Sequence, residues 1–565
     1  MIAVSATGLL RDFNEAGVLG LPDVHLARTL STLSGDDSPE VGLAVALTMR
    51  AWRTGSPCLD MQSADSLSAD ADQETAPEIA GLPWPQPGAW LAALRASRLV
   101  GGPDDNRPLC LDGDLLYLRR TWDDQARVVA AFGSRWQTAP PSPPSLTGDE
   151  LTDAVLSQWV TVLTGGPGTG KTFSIARVVS QLRELPGFNS ICVAAPTGKA
   201  AARLAQAIGE AGPRPTTIHR LLGARGPGRG NRYTATNPLP ADVVIVDELS
   251  MVSLPLMAGL LDALSPRTRL LLVGDPGQLA SVEAGAVLAD LVDAEVTASA
   301  HSSAPLVRTL TKVYRYGGAL ADLSQAAGRG DADAALAVLG CGDATVNLIG
   351  SDTTDATWAS LPEVAATLTA TAQATREAAK AGDSAAALNA LDGHRLLCAH
   401  RQGPYGVASW ARRVAELTTP TGRRPDDWWP GRAVLATATA PDLGVVSGDQ
   451  GVAIATNGGP RLVFQPTGPQ LVPAALPGLA TLDAMTVHKS QGSQFRAVTL
   501  VLPPLDSPLL IRPLLYTAMT RAQERLTIIG TAEQLRQGLT TAPHRASGLA
   551  SALRQVMTST AIEPI

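Results

Sequence analysis

No glutamate in the chain is followed two positions later by lysine, none of the five cysteines has C-x-x-C spacing, and no run of eighteen apolar residues occurs. The first absence removes the usual carboxylate and lysine signature of a metal-dependent nuclease, so nuclease activity, where it accompanies this chain, is expected from a partner. The second argues against a disulfide framework and against a zinc or iron–sulfur site. His394, Cys398 and His400 do fall close together, but the stretch RLLCAH that carries the last two reads as an apolar strand, with no fourth ligand in sight. The third excludes a membrane-spanning helix, and the start MIAVSATGLLRDFNEAG lacks the basic opening and long apolar core of a signal peptide, so a cytoplasmic location without membrane contact is expected. Excess basic charge is missing too, the net charge being −7. That balance neither advertises nor excludes nucleic-acid binding, because a protein that grips one strand in an internal channel needs only a local basic lining. At 565 residues the chain is too long for a single core, and 45 % hydrophobic with 17 % charged residues is ordinary for a globular protein of several domains.

What is present is organised around GGPGTGKT, residues 165–172. Gly165, Gly166, Pro167, Gly168, Thr169 and Gly170, followed by Lys171 and Thr172, complete the pattern G-x-x-x-x-G-K-[ST]. The apolar run Trp159 to Leu163 leads in as a buried strand, and Phe173 to Leu182 follows as a helix. In that context backbone N–H groups converge on a triphosphate and the helix N-terminus adds partial positive charge. Lys171 would reach the β and γ phosphates and the Thr172 hydroxyl would ligate Mg²⁺. The loop alone leaves the reaction open, since kinases, motors and switches share it.

Further along, ADVVIVDELSMV (241–252) delivers adjacent carboxylates to the end of an apolar strand. Asp247 is expected to hold Mg²⁺ and Glu248 to orient and deprotonate an attacking water. LLLVGDPGQLASVEAG (270–285) adds another strand and places Gln278 to sense a γ-phosphate. Strands that end in polar loops and alternate with helices predict a parallel sheet with its ligand at the strand C-termini. CVAAPTGKAAARL and TTIHRLLG offer small polar groups at strand ends, suited to the phosphates of a tracked strand or to ordinary turns. Arg315 in LTKVYRYGG and Arg521 in LLYTAMTRAQERLTIIG, the latter expected on a helix, are candidates for reaching the phosphates from a second domain. Residues 223–240 are rich in Gly, Arg and Asn and read equally as a small hairpin or a surface loop. Alternation between Gly-containing turns over 426–466 predicts a small β-barrel insertion.

The ordered set GGPGTGKT, APTGKAA, TTIH, VDELSMV, GDPGQL, VYR, TVHKSQGSQF and YTAMTRA resembles a superfamily 1 helicase and, within it, the RecD family, α subunits of exodeoxyribonuclease V, the RecBCD complex. The resemblance is dense from about 160 to 530 and thin before. It implies an α/β fold of two RecA-like P-loop NTPase domains with ATP between them, a helical N-terminal domain that docks on RecC, and an SH3-like barrel inserted in the second motor domain. The boundaries expected are 1–110 for the docking domain, 111–145 for a connecting segment and linker, 146–308 for motor domain 1, 309–425 with 483–565 for motor domain 2, and 426–482 for the barrel. The implied activity is ATP- and Mg²⁺-dependent 5′ to 3′ movement on single-stranded DNA, serving double-strand-break processing with RecB and RecC. Lys171, Thr172, Asp247, Glu248, Gln278, Arg315 and Arg521 fall on the family's ATP-site positions, and Pro196, Thr197, Thr217, His219, Thr486 and His488 near its DNA-contacting motifs. The chain departs from the family where a Gln usually reads adenine ahead of the loop, having Thr147-Gly148-Asp149-Glu150 there instead. An ATP-binding switch or scaffold within the same complex, and a stand-alone RecD-like helicase, are the alternatives; a P-loop kinase has no use for TVHKSQGS or Arg521.

Overall fold

The computed structural model describes residues 2–66, 79, 81–141, 147–225, 230–298, 306–314, 317–350, 357–424, 427–465, 468–543 and 545–559. The N-terminal unit pairs helices Leu21–Ser34 and Pro39–Arg53, the first ending at the left-handed Gly35. They pack with a small sheet of β1 (Cys58–Asp60), β2 (Val100–Gly101), β3 (Leu109–Asp112) and β4 (Leu115–Leu118), in the order β1-β4-β3-β2. Its core includes Phe13, Leu43, Leu47 and Trp90, with the Trp90 indole donating to the Glu40 carbonyl at 2.8 Å.

The first large sheet is β5 (Val160–Gly165), β6 (Ile191–Ala195), β7 (Thr216–Thr217), β8 (Val243–Val246), β9 (Arg269–Gly274) and β10 (Val307–Leu310). Its order is β10-β5-β9-β8-β6-β7, and every pairing is parallel. The run VVIV of β8 is buried on both faces, as a central strand covered on each side must be. One face packs helices Glu150–Ser157, Lys171–Glu184 and Gly198–Ile208 through Leu156, Val178 and Leu204. The other takes Val128 and Phe132 from helix Arg119–Trp136, and Leu549 and Leu553 from the C-terminal helix Leu549–Ser559.

These two helices differ from the sequence expectation. Residues 111–118 complete the N-terminal sheet and 119–136 are a packed helix, where a connecting segment had been expected; the C-terminal helix serves the first sheet although 483–565 had been assigned wholly to the second. Amphipathic periodicity marks an apolar face but does not say which core receives it.

The second sheet begins with β11 (Val346–Ile349) and β12 (His394–Cys398). The chain then leaves it for β13 (Ala433–Ala436), β14 (Gln450–Ile454), β15 (Arg461–Phe464) and β16 (Leu479–Thr481), and returns as β17 (Met485–Thr486), β18 (Phe495–Val501) and β19 (Ala522–Ile529). The second sheet is again parallel throughout, ordered β11-β19-β18-β12-β17. The insertion is a four-stranded antiparallel sheet, β15-β14-β13-β16, with Val434, Leu462 and Phe464 in one core and Val452 and Val463 turned toward Leu388 in another. No helix among the described residues is long and apolar enough to cross a membrane.

His394 and Cys398 lie in β12, with His394 Nε2 at 2.9 Å from Thr499 Oγ1, and His400 Nε2 is 2.8 Å from Ser507 Oγ. Cys398 packs with Leu396, Trp410 and Val501, which accounts for the apolar stretch. Because Leu553 is fully buried in the first sheet's core, Leu553→Ala is expected to lower stability by about 2–4 kcal/mol, read as a reduced denaturant midpoint. An unchanged midpoint would contradict the placement of the C-terminal helix.

Candidate functional site

The loop between β5 and helix Lys171–Glu184 turns twice through the left-handed region, at Gly168 (φ 80°) and Gly170 (φ 91°), conformations that residues with a Cβ resist. A Cβ on Gly165 would lie 2.7 Å from Thr169 Oγ1 and 2.9 Å from the Leu310 carbonyl oxygen, so β10 closes over the loop's first residue. Lys171 Nζ donates back to the carbonyls of Gly165 at 2.5 Å and Gly166 at 2.9 Å. The amine is thus held over the cradle its own helix opens.

Asp247 and Glu248 leave the C-terminal end of β8 beside that loop. Asp247 is 7 % exposed, and burial together with the neighbouring Glu248 carboxylate pushes its pKa up to about 7, with Lys171 opposing. Its Oδ1 accepts from the Glu248 backbone N–H at 2.8 Å. Glu248 has φ 55°, alone among the described non-glycine residues in being left-handed. Such a conformation costs of order 1–3 kcal/mol and persists where the surroundings fix it, here the close-packed turn into Leu249–Met251.

Asp275, which the sequence analysis passed over, follows β9 and is almost fully buried, a position that raises its pKa. Oδ1 accepts from the Gly277 N–H at 3.0 Å, while Oδ2 accepts from Gln278 Nε2 at 3.0 Å and from the Tyr516 hydroxyl at 3.1 Å. Gln278 Oε1 in turn accepts from Arg521 Nη2 at 3.1 Å. Two more bonds tie the same loop to the second sheet's side, Leu279 N–H to Thr517 Oγ1 at 2.9 Å and Gln491 Nε2 to the Leu279 carbonyl at 2.8 Å. Arg521 is not on the helix where it was expected. Helix Arg512–Met519 ends first, and the Arg521 N–H bonds the Ala518 carbonyl in a tight turn before β19 begins at Ala522. That turn aims the guanidinium at Gln278, with Nε on the Thr517 carbonyl at 2.9 Å and Nη1 on that of Ser493 at 3.2 Å.

Arg315 lies outside the described residues. Its neighbour Tyr314 is described: the Tyr314 N–H donates to the Gly168 carbonyl at 2.9 Å, and the side chain is 70 % exposed beside the loop, as is that of Phe173. The segment where adenine reading was sought is otherwise engaged. Asp149 caps helix Glu150–Ser157 and pairs with Arg177 at 2.6 Å, while Glu150 pairs with Arg308 at 2.5 Å.

Pro196, Thr197, Thr217 and His219 line one groove, whose opposite wall comes from the insertion through residues including Thr439, Val446 and Gln465. Thr197 and Thr217 are both helix N-caps, their hydroxyl oxygens accepting from the N–H groups of Ala200 at 3.3 Å and Arg220 at 3.2 Å. Thr486 and His488 lie off this groove. Thr486 is buried and accepts from the Lys489 N–H at 3.3 Å, and His488 is held down to about 4 by burial, with Arg545 and Arg401 adding to it.

Three family profiles match the chain: the N-terminal domain of RecBCD enzyme subunit RecD over 15–117, an AAA domain over 150–284, and the UvrD-like helicase C-terminal domain over 481–529. RecBCD enzyme subunit RecD of Mycobacterium tuberculosis is 44 % identical over 581 residues, covering 97 % of each chain. The chain belongs to the RecD family. The RecD subunit of Mycolicibacterium smegmatis is 43 % identical, over 97 % of this chain and 99 % of its own. The ATP-dependent RecD2 DNA helicase of Deinococcus radiodurans is 34 % identical over 67 % of this chain and 48 % of its own. Among solved structures, Pif1 helicase from Bacteroides with ADP-AlF3 and single-stranded DNA aligns at a TM-score of 0.39 and 15 % identity, over 71 % of this chain and 95 % of its own, a likeness too loose to argue from. The RecD N-terminal profile covers the helical unit whose motifs were thinnest.

The raised Asp247 pKa has a definite sign. A carboxyl that moves from its ordinary 3.8 to about 7 on folding contributes stability at low pH and loses it as pH rises through about 7. Asp247→Asn removes that loss. Its stability advantage over the parent in nucleotide-free melts is expected to be near zero at pH 4, to grow toward pH 7 and to level off above, reaching about 1–4 kcal/mol. An advantage independent of pH would contradict the buried-carboxylate account.

Proposed function

We propose that the chain is the ATP-driven helicase and translocase subunit of a RecBCD helicase–nuclease, moving 5′ to 3′ on single-stranded DNA and acting with RecB and RecC on broken double-stranded ends in the cytoplasm. The observation that carries this reading is the junction at Gln278, where the first sheet's nucleotide edge is bonded to Arg521 of the second. The names of the relatives, RecBCD subunits and an ATP-dependent DNA helicase, support the same activity and assembly.

The residues fit ATP with Mg²⁺. Thr172 and Asp247 present hydroxyl and carboxylate oxygens, the donors a hard divalent cation takes, and the mutual repulsion of Asp247 and Glu248 marks a place short of positive charge. Magnesium, when bound, supplies charge neutralisation at the phosphates. Lys171 exchanges the Gly165 and Gly166 carbonyls for the β and γ phosphates, with the backbone from Gly165 through Gly170, Pro167 and Thr169 included, forming the cradle. Glu248 orients the attacking water and takes its proton, Gln278 senses the γ-phosphate, and Arg521 with Arg315 neutralises transition-state charge from the second domain. Hydrolysis removes what the arginines hold, so the two sheets shift relative to each other.

Pro196, Thr197, Thr217 and His219 form the strand's track. The two threonine oxygens are committed to helix caps, which leaves each hydroxyl proton to donate to a phosphate. Thr486 and His488, off the groove, are assigned to shaping the segment ahead of β18. The antiparallel insertion that walls the groove is read as the SH3-like barrel, and the N-terminal unit as the RecC-docking domain.

Duplexes bearing only a 5′ or only a 3′ tail test this, with the full chain assembled with RecB and RecC. Lys171→Gln is expected to lower DNA-stimulated ATP hydrolysis by at least about 10²-fold and to abolish the unwinding that starts from 5′ tails. Undiminished 5′-tailed unwinding by the Lys171→Gln assembly would contradict the motor reading and leave a switch or scaffold.

A further inference from the structure

Tyr516 sits in a slot made by glycines. A Cβ on Gly166 of the phosphate loop would lie 3.1 Å from its hydroxyl oxygen, one on Gly277 3.2 Å from its Cε1, and one on Gly328 3.2 Å from its Cε2. Three segments of chain, two on the first sheet's nucleotide edge and one on helix Ala319–Arg329, therefore close around one ring that is 6 % exposed. The hydroxyl of this enclosed ring donates to Asp275 Oδ2 at 3.1 Å.

Asp275 shares the same oxygen with Gln278 Nε2. An amide whose N–H₂ end is fixed on a carboxylate has its carbonyl end fixed as well, and Gln278 Oε1 meets Arg521 Nη2. The bonds form a closed circuit, from Tyr516 to Asp275 to Gln278 to Arg521 and back through the short stretch of chain that joins Arg521 to Tyr516. The Leu279 N–H bond to Thr517 Oγ1 braces the circuit from inside.

We propose that Tyr516 and Asp275 are an interdomain positioning pair that sets the orientation of Gln278 and makes Arg521 engagement depend on the state of the phosphate loop at Gly166. This rests on the reading of Gln278 as the γ-phosphate sensor. Neither member touches the reacting atoms. Tyr516 reads the loop by contact, Asp275 turns that contact into the direction of an amide, and the amide presents an acceptor to the arginine of the other domain.

The test separates turnover from nucleotide affinity. In the full chain, Tyr516→Phe removes one hydroxyl and keeps the ring that fills the slot. Asp275→Asn keeps the shape and removes one acceptor. Each is expected to lower DNA-stimulated kcat about tenfold with the KM for ATP within about twofold of the parent, and the double variant to be no slower than the slower single one, because both act through Gln278. A raised KM with unchanged kcat would make Tyr516 a wall of the nucleotide site and overturn the proposal. So would parental kinetics for both variants while Gln278→Ala loses DNA-stimulated turnover. Parental turnover in Gln278→Ala itself would sink the sensor reading beneath it.

Discussion

A guanidinium buried to 2 % exposure between two sheets has to have its N–H groups answered by protein, and the bonds Arg521 makes decide how the halves of this molecule meet. It donates to the carbonyls of Thr517 and Ser493 on its own side and to the Gln278 amide on the other. Leaving any of these unmet would cost more than an ordinary hydrogen bond returns, so the loop after β9 and the turn before β19 are held in one relative position. Around that contact gather the Thr517–Leu279 and Gln491–Leu279 bonds. Further out, Arg203 Nη2 donates to Gln494 Oε1 at 2.9 Å, and Phe495 lies between Lys199 and Arg395, at 5.7 and 5.0 Å from its ring centre. Burial lowers the Lys199 pKa to about 8.

On the first sheet, the phosphate loop and the groove share one edge because both lie at the C-terminal ends of parallel strands. β5 and β8 deliver the loop and the carboxylates, β9 delivers Asp275 and Gln278, and β6 and β7 deliver Pro196, Thr197 and Thr217 to the groove. The strained Glu248 and the repelling pair Asp247–Glu248 lie on that edge at the end of β8, which is paired on both sides by β9 and β6. A rigid support is what lets an unfavourable backbone and a desolvated carboxylate persist.

Much of this was legible in the sequence, for identifiable reasons. GGPGTGKT admits few conformations, since Gly168 and Gly170 must be left-handed, and VVIV before Asp247 is too apolar for anything but a doubly covered strand. The first parallel sheet followed from strand and helix periods, whereas a second one was expected only from the resemblance to the helicase family. Contacts between segments far apart were not legible. Tyr516 reads as one apolar member of a helix, and only its distance from Gly166 gives it a role; Asp275 stood inside a quoted motif, but its three partners include one 241 residues away. The turn at Arg521 was hidden because Thr520 and Arg521 have no propensity that ends a helix, the stop being imposed by pairing of β19 with β18. The C-terminal helix was assigned to the wrong core for the same reason, since its apolar face fits either.

The directed, planar guanidinium of Arg521, and not merely a positive charge, joins the second sheet to the loop after β9. Arg521→Lys tests it most directly, because lysine keeps the charge but loses the fork that reaches Gln278, Ser493 and Thr517 together. In the full chain with ATP, Mg²⁺ and single-stranded DNA, kcat for hydrolysis is expected to fall by about 10³-fold or more with little change in the KM for ATP. DNA-stimulated turnover at the parental rate in that variant would contradict the account.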